Sequence, residues 1–497
     1  MDTSLTSLSA VAARRLIGSR RLSPVELLDA CIAQIEALNP AVNAIAATCF
    51  DRARVEARLA EQAVLRGDTL GLLHGLPLGV KDLEETAGVL TTYGSPIYRA
   101  HVPQHDNAMV ARLRAAGAVL TAKTNTPEMG AGANTRNAVW GATGNPFDPM
   151  LNAGGSSGGS AVALATGMLP VCTGSDTGGS LRIPAALCGV VGFRPSPGVV
   201  PGDTRPLGWS PLTVSGPMGR TVADTRLQLA ANAGLHDSEP LGPDLDPLAL
   251  LHAREVDPAS LRIGYTEDFG VCAVAGAMRE TFRKKIAALS PYVKTCEPVA
   301  FDLGEAHRCF DVIRAQNFIA SFQEIYERDP GLLGPNTRTN SEMGQAMSLA
   351  DAVWAHAEQT RLFRRFQKAF DHYDLIVSPT CSISPFPWSQ SSLTEMDGLP
   401  LENYYRWLGL TYVVTLSTNP ALSLPCGTDY AGMPFGLQLI GRFRGDRRLL
   451  DIAQALESAW ENDASLKRPC PDLSILSHPV PALGSIVTDP PIFSTGH

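Results

Sequence analysis

The chain has 497 residues, 44% of them hydrophobic and 18% charged, with a formal net charge of −8, which excludes a disordered chain and leaves room for about three domains or one large α/β enzyme. The acidic balance and the lack of a long lysine and arginine run exclude a nucleic-acid partner, and no segment reaches the roughly eighteen apolar residues that suggest a membrane span. Ten cysteines stand singly, at 31, 49, 172, 188, 272, 296, 309, 381, 426 and 470, with no C-x-x-C pair, so neither structural zinc nor a redox dithiol is indicated and a reducing cytoplasm fits.

Residues 1–70 read as a helical scaffold. The start lacks the apolar core of a secretory signal, and Leu5, Leu8, Val11 and Leu16 are expected to form one helix face against the body. Ser23, Pro24 and Glu26 stand as N-cap, first-turn proline and capping-box partner, ahead of Leu27, Leu28, Cys31, Ile32, Ile35 and Leu38 at helical spacing. An alanine-rich helix follows from about 52 to 67. From Gly75 the apolar run LPLGV ends on Lys81; residues 107–117 read as a helix stopped by Gly117, and AVLTAKTN as a buried strand. This alternation predicts an α/β fold.

Two glycine and serine clusters come next, GGSSGGS at 154–160 and SDTGGS at 175–180. A helix ending at Gly167 and a strand, LPVCTG, join them. Roughly 13 Å of helix outward and roughly 18 Å of strand back place both clusters at one end of the layer. Gly189 closes a further short helix before the strand VVGF. Residues 71–236 are thus the expected catalytic core, and 237–372 a helical lobe on the same domain, opening with the acidic, proline-rich stretch 237–260. Within the lobe LRIGY reads as a strand, Met278, Phe282, Ile286 and Leu289 as a helix face, and 349–372 as a long helix. Residues 373–470 return to the core through the strand LIVSPT, a hairpin at SLPCGTDYAGMPFGLQLIG and a last helix, and 471–497 form a proline-rich tail expected to be extended.

Lys81, Ser156, Ser157 and Ser180 fall at predicted strand ends, where α/β sheets place their sites. Burial of Lys81 lowers its basicity and lets it act as a general base. No histidine lies between His105 and His236, so a Ser and Lys constellation is expected, with backbone N–H groups from Asp176 to Ser180 aimed at an oxyanion.

These residues carry a resemblance. GGSSGGSA, Ser180 twenty-four residues after Ser156 in GSDTGGSLRIPA, and Lys81 in GVKD resemble the amidase signature family, as do KTNTPEM, GNPFDP, SGPMGRTVAD and MPFGLQLIG, over roughly residues 20–460. The resemblance implies a single large domain with a mixed central sheet covered by helices on both faces. It also implies Ser180 as acyl-forming nucleophile, Ser156 as bridging serine after a cis Gly155–Ser156 bond, and Lys81 as base. Thr177, Gly178, Gly179 and Ser180 are the implied oxyanion donors, Ser157, Asp176 and Arg182 supports, and Met129 and Gly130 acyl-pocket residues. It implies no metal or cofactor, a small-molecule amide substrate, and leaves a homodimer open.

Trp209, set between turn residues, is the aromatic expected to face the substrate, with Trp354, Trp388, Tyr404, Tyr405 and Trp407 as further candidate walls. The substrates expected are hydrophobic or aryl amides, with esters or carbamates open to the same acyl chemistry. Two other readings stand. Gly154 to Gly158 also spell the G-x-S-x-G elbow of an α/β-hydrolase esterase with Ser156 as nucleophile, although FDPMLNA makes a poor preceding strand. Within the family, the glutaminase subunit of a tRNA-dependent amidotransferase generally carries a segment of the type YGRVSRYGL, where this chain has PGVVPGDTRPLGWSPLTVSGP. That difference favours a free-standing amidase.

Overall fold

Eleven strands form one mixed sheet, and the structure, a computed structural model, describes residues 3–493. In chain order they are β1 Ile45–Thr48, β2 Pro77–Lys81, β3 Val119–Thr124, β4 Val171–Asp176, β5 Val191–Arg194, β6 Val214–Gly219, β7 Arg262–Tyr265, β8 Thr295–Pro298, β9 Leu375–Pro379, β10 Ala421–Thr428 and β11 Pro434–Ile440. Across the sheet they run β1-β3-β2-β4-β6-β5-β10-β11-β9-β7-β8. β2 lies parallel to both β3 and β4, and β7 parallel to both β9 and β8. The other neighbours are antiparallel.

Helices flank this sheet to give the single large α/β domain that the sequence predicts. They include α1 Ala10–Gly18, α2 Pro24–Val42, α3 Phe50–Arg66, α4 Ala108–Ala115, α5 Gly158–Ala165, α6 Arg182–Cys188, α7 Val222–Asn232, α8 Gly276–Leu289, α9 Ala306–Arg328, α10 Pro335–Gln345, α11 Leu349–Gln367, α12 Gly409–Leu416 and α13 Asp446–Ala459. The capping box of α2 forms as read, Ser23 bonding into the first turn and Glu26 returning to the Ser23 N–H at 3.1 Å. β2, β3 and β9 are buried at every residue, which is why their sequences read as continuous runs rather than as alternation.

Several expectations change. Of the expected face, Leu5, Leu8 and Leu16 pack half-buried against the core, but Val11 is exposed, and the residues α1 buries fully are Ala10, Ala13 and Ile17. Residues 1–70 also supply edge strand β1, and within 237–372 the strand read at LRIGY is β7 and is joined by β8, so both segments take part in the sheet. The tail, expected as extended, makes two short 3₁₀ turns that bury Leu476 and Leu483. It is tied down by Val480 N–H to Pro40 O at 3.0 Å, Thr488 N–H to Ala138 O at 3.0 Å and Ile492 N–H to Arg99 O at 2.7 Å.

What matters for chemistry is one edge of the sheet. The parallel strands β3, β2 and β4 end there together on Thr124, Lys81 and Asp176, with Leu78 of β2 level with Val171 of β4. Helices α5 and α6 start beside that edge.

Candidate active site

Lys81 is the last residue of β2, and its side chain is wholly buried. Its backbone N–H donates to Thr173 Oγ1 on β4 at 2.9 Å, which fixes the strand end. From there Nζ reaches Ser156 Oγ at 2.7 Å and Ser175 Oγ at 3.0 Å. Burial pushes the amine down to about 7 from an ordinary 10.5, with Glu84 and then Asp176 opposing the fall. A neutral amine carries a lone pair, so the 2.7 Å contact can also run in reverse, with Ser156 donating.

Ser156 follows a cis Gly155–Ser156 peptide bond and is buried. Ser157 stands at the first position before α5 without capping it through its side chain; its N–H donates to Ser180 O at 3.3 Å and its hydroxyl lies 3.5 Å from Ser175 O, so it stitches the two glycine loops together. Deeper in, Ser160 donates to Thr173 O at 2.7 Å.

The second loop is shaped by Asp176. Its carboxylate accepts from the Gly179 N–H at 2.9 Å and the Leu181 N–H at 3.1 Å. It also takes a two-pronged ion pair from Arg182 Nε at 3.0 Å and Nη2 at 2.8 Å, and a contact from Arg194 Nη1 at 3.2 Å. Burial alone would raise this carboxyl, but Arg182 and then Arg194 outweigh it and hold the group well below the usual carboxylate range. The other Arg182 donors reach Thr411 O, Gln438 Oε1 and Thr415 Oγ1 at 2.7–3.0 Å, which fastens the loop to α12 and β11. Gly179 sits at φ 125°, and a Cβ there would collide with the Thr411 hydroxyl, so no larger residue fits.

Of the four amides expected at an oxyanion, that of Gly179 is therefore committed to Asp176. Those of Thr177, Gly178 and Ser180 make no hydrogen bond among the described residues. Ser180 is half-exposed in the turn before α6, and its hydroxyl is likewise unpaired among the described residues.

Ser156, Ser175, Thr177 and Ser180 line one cavity of about 220 Å³ with Met129 and Gly130. A side chain on Gly130 would press on Leu83 and come to 3.5 Å from Ser156 Oγ, so glycine keeps that side open. Trp209 does not line the cavity: it is 77% exposed, and Pro206 and Leu207 of the same loop, themselves exposed, line it instead. Trp354, Trp388, Tyr404, Tyr405 and Trp407 do not line it either. Tyr405 and Trp407 are core, Trp388 packs with Ala142 and Leu483, and Trp354 lies under Arg308. The aromatic wall is Phe318 and Phe322 of α9, a helix absent from the sequence reading.

Ser175 was also missed. It belongs to β4, two residues beyond Thr173, so strand alternation turns both toward Lys81. Lys123 on β3, level with Val80, is a second buried lysine, pushed down to about 8 by burial. It donates to Thr86 Oγ1 at 2.8 Å and to Glu84 O, anchoring the segment after Lys81 rather than lining the cavity.

No histidine lines the cavity among the described residues. The segment before Ser156, Asp148–Asn152, pairs with Gly144–Asn145 in a separate two-stranded ribbon, so Ser156 lacks the buried strand that an α/β-hydrolase elbow requires. No cluster of three or more His, Cys, Asp or Glu able to hold a metal occurs among the described residues, and no helix there is long and apolar enough to cross a membrane.

Comparison with known proteins returns a consistent set. The family described as Amidase matches residues 26–450. The chain is 34% identical over 485 residues to a glutamyl-tRNA(Gln) amidotransferase subunit from Chloroflexus aurantiacus, covering 92% of this chain and 98% of that one. It is 32% identical over 483 residues to an acylamidase from Rhodococcus erythropolis, covering 95% and 99%. Among solved structures, a bacterial aryl acylamidase of the amidase signature enzymes superposes with a TM-score of 0.84 at 27% identity, over 91% of this chain and 96% of that one.

Proposed function

The chain belongs to the amidase family and is an amidohydrolase; within that family we propose that it is a free-standing amidase that cleaves carboxylic amides through an acyl-enzyme on Ser180. The observation that carries this reading is the buried Lys81 amine, 2.7 Å from Ser156 Oγ, beside a cavity that Ser156 shares with Ser180.

The steps follow from these positions. Ser180 Oγ attacks the carbonyl carbon while its proton passes through Ser156 to neutral Lys81. Negative charge gathers on the carbonyl oxygen, and the unpaired amides of Thr177, Gly178 and Ser180 supply donors for it; one such donor is worth about 10²–10³ in rate. The leaving amine takes the proton back along Ser156, and water releases the acid by the same relay. Ser157, Asp176 and Arg182 position the two loops without touching the reacting atoms. No metal or cofactor enters these steps.

Leu83, Met129, Leu207, Phe318 and Phe322 give the cavity an apolar lining, which supports aryl or hydrophobic amides of modest size, with esters and carbamates open to the same chemistry. Arg205 folds the 202–213 loop over the cavity by donating to Gly202, Ser210 and Thr213 carbonyls at 2.9–3.2 Å. That loop is the segment in which the chain departs from the amidotransferase pattern. A second reading, glutaminase subunit of a tRNA-dependent amidotransferase, rests on the 34% identity to the Chloroflexus protein. Turnover of a panel of anilides, primary amides, carbamates and esters by the isolated chain tests the first reading. Ammonia release from glutamine only in the presence of a partner complex and charged tRNA would favour the second.

A further inference from the structure

Helix α9 turns one face to the Ser180 cavity. Arg314, Asn317, Phe318, Ser321 and Phe322 recur at helical spacing, and all five line it. Arg314 is the unusual member, 7% exposed and in no ion pair among the described residues. Its Nε donates to Asn340 Oδ1 at 2.8 Å and its Nη2 to the Tyr404 hydroxyl at 2.6 Å, both neutral acceptors. Its guanidinium carbon lies 4.8 Å from the Phe318 ring centre and 4.9 Å from that of Tyr405. Nη1 has no partner among the described residues.

The acids nearby are taken. Asp311, one turn earlier on α9, is held by Arg406 at 2.8 Å and by the Tyr405 hydroxyl at 2.7 Å. Arg205, the other cation lining the cavity, pairs with Glu239 and gives its remaining donors to loop carbonyls. No acidic side chain lines the cavity among the described residues.

A buried guanidinium, braced in one orientation, facing a cavity and lacking a carboxylate, is costly unless an anion completes it. We propose that Arg314 is a substrate-binding residue and that the preferred substrates are amides bearing a carboxylate, seated on the Nη1 side of Arg314 while the aryl or alkyl body packs on Phe318 and Phe322. The inference rests on the reading of this cavity as the amide site. Arg314 fixes the distal end of the substrate and takes no part in the proton relay.

Two matched anilide pairs test it, followed by arylamine release. In one the carboxylate is on the leaving amine, 4-acetamidobenzoate against 4-acetamidotoluene; in the other it is on the acyl chain, glutaranilate against hexananilide. The wild-type chain should prefer the carboxylate member of at least one pair. The ratio of kcat/KM between the members should fall roughly 10- to 100-fold in Arg314→Met, mainly through KM, with partial recovery in Arg314→Lys. Because a ratio within one protein cancels any loss of folded enzyme, equal ratios in wild type and Arg314→Met for both pairs would overturn the proposal.

Calorimetry on Ser180→Ala gives a readout that needs no turnover. Tighter binding of the carboxylate member, lost on adding Arg314→Met, supports the proposal, and equal binding of both members contradicts it. If no anilide is hydrolysed by wild type yet Ser180→Ala retains the carboxylate preference, the amidase reading fails and the Arg314 site stands.

Discussion

Lowering the pH from about 9 to about 5 should switch the enzyme off through Lys81, with a midpoint near 7. A lysine amine at its ordinary 10.5 is neutral in about 3 molecules in 10,000 at pH 7, whereas one brought down to about 7 by burial is neutral in about half, a gain of ~10³ in competent base. Since the neutral form accepts the proton, kcat/KM should level off above about pH 8, fall to about a tenth of its plateau at pH 6, and to about a hundredth at pH 5. Stability does not mimic this limb. Below its folded-state value Lys81 is protonated in folded and unfolded chains alike and adds no further pH dependence, while Asp176, held well below the usual range, keeps its ion pairs. The assay is anilide hydrolysis at low substrate across that range, repeated on Lys81→Ala, whose residual rate should lose the limb. A profile flat down to pH 5, or a limb displaced to pH 9 and above, would refute a neutral Lys81 as the base.

Ser175→Ala removes one of the two hydroxyls that hold Lys81 Nζ and should lower kcat about tenfold with KM little changed; an unaltered kcat would leave Ser175 a bystander. Asp176→Asn leaves Arg182 and Arg194 buried beside a neutral amide and should cost about 3–5 kcal/mol of folding stability, read as a lower urea midpoint. An unchanged midpoint would mean the loop does not depend on that ion triad. Removing the tail after Pro471 exposes the sites filled by Leu476 and Leu483, about 1.5–3 kcal/mol for each side chain, and differential scanning fluorimetry should register the loss. Melting at the full-length temperature would return the tail to a loosely attached extension.

How much of this could be read from residues alone depends on whether a position obeys the period of its element. Lys81 stood out because it ends a short apolar run, and the fold turns that run into a strand buried at every residue. The two glycine loops were legible because the intervening helix and strand have known lengths and return the chain to the same edge. Helix α9 was invisible for a physical reason: its cavity face carries Arg314, Asn317 and Ser321 among phenylalanines, so the apolar stripe that marks an ordinary packed helix is broken where ligand space replaces core. Ser175 opens the second glycine and serine cluster without marking itself out, and only the register of β4 beside β2 turns its hydroxyl to Lys81. Trp209 illustrates the opposite error: a large aromatic in a turn-rich loop attracts notice, but Arg205 ties that loop down with Leu207 lining the cavity and the indole exposed.

The central claim is that Ser180 is the nucleophile and Lys81, through Ser156, its base. An active-site serine probe such as a fluorophosphonate, followed by peptide mass spectrometry, tests it most directly. The account predicts a single adduct on Ser180, absent in Ser180→Ala and formed orders of magnitude more slowly in Lys81→Ala. An adduct on Ser156 or Ser157, or labelling of Ser180 at an undiminished rate without Lys81, would contradict it.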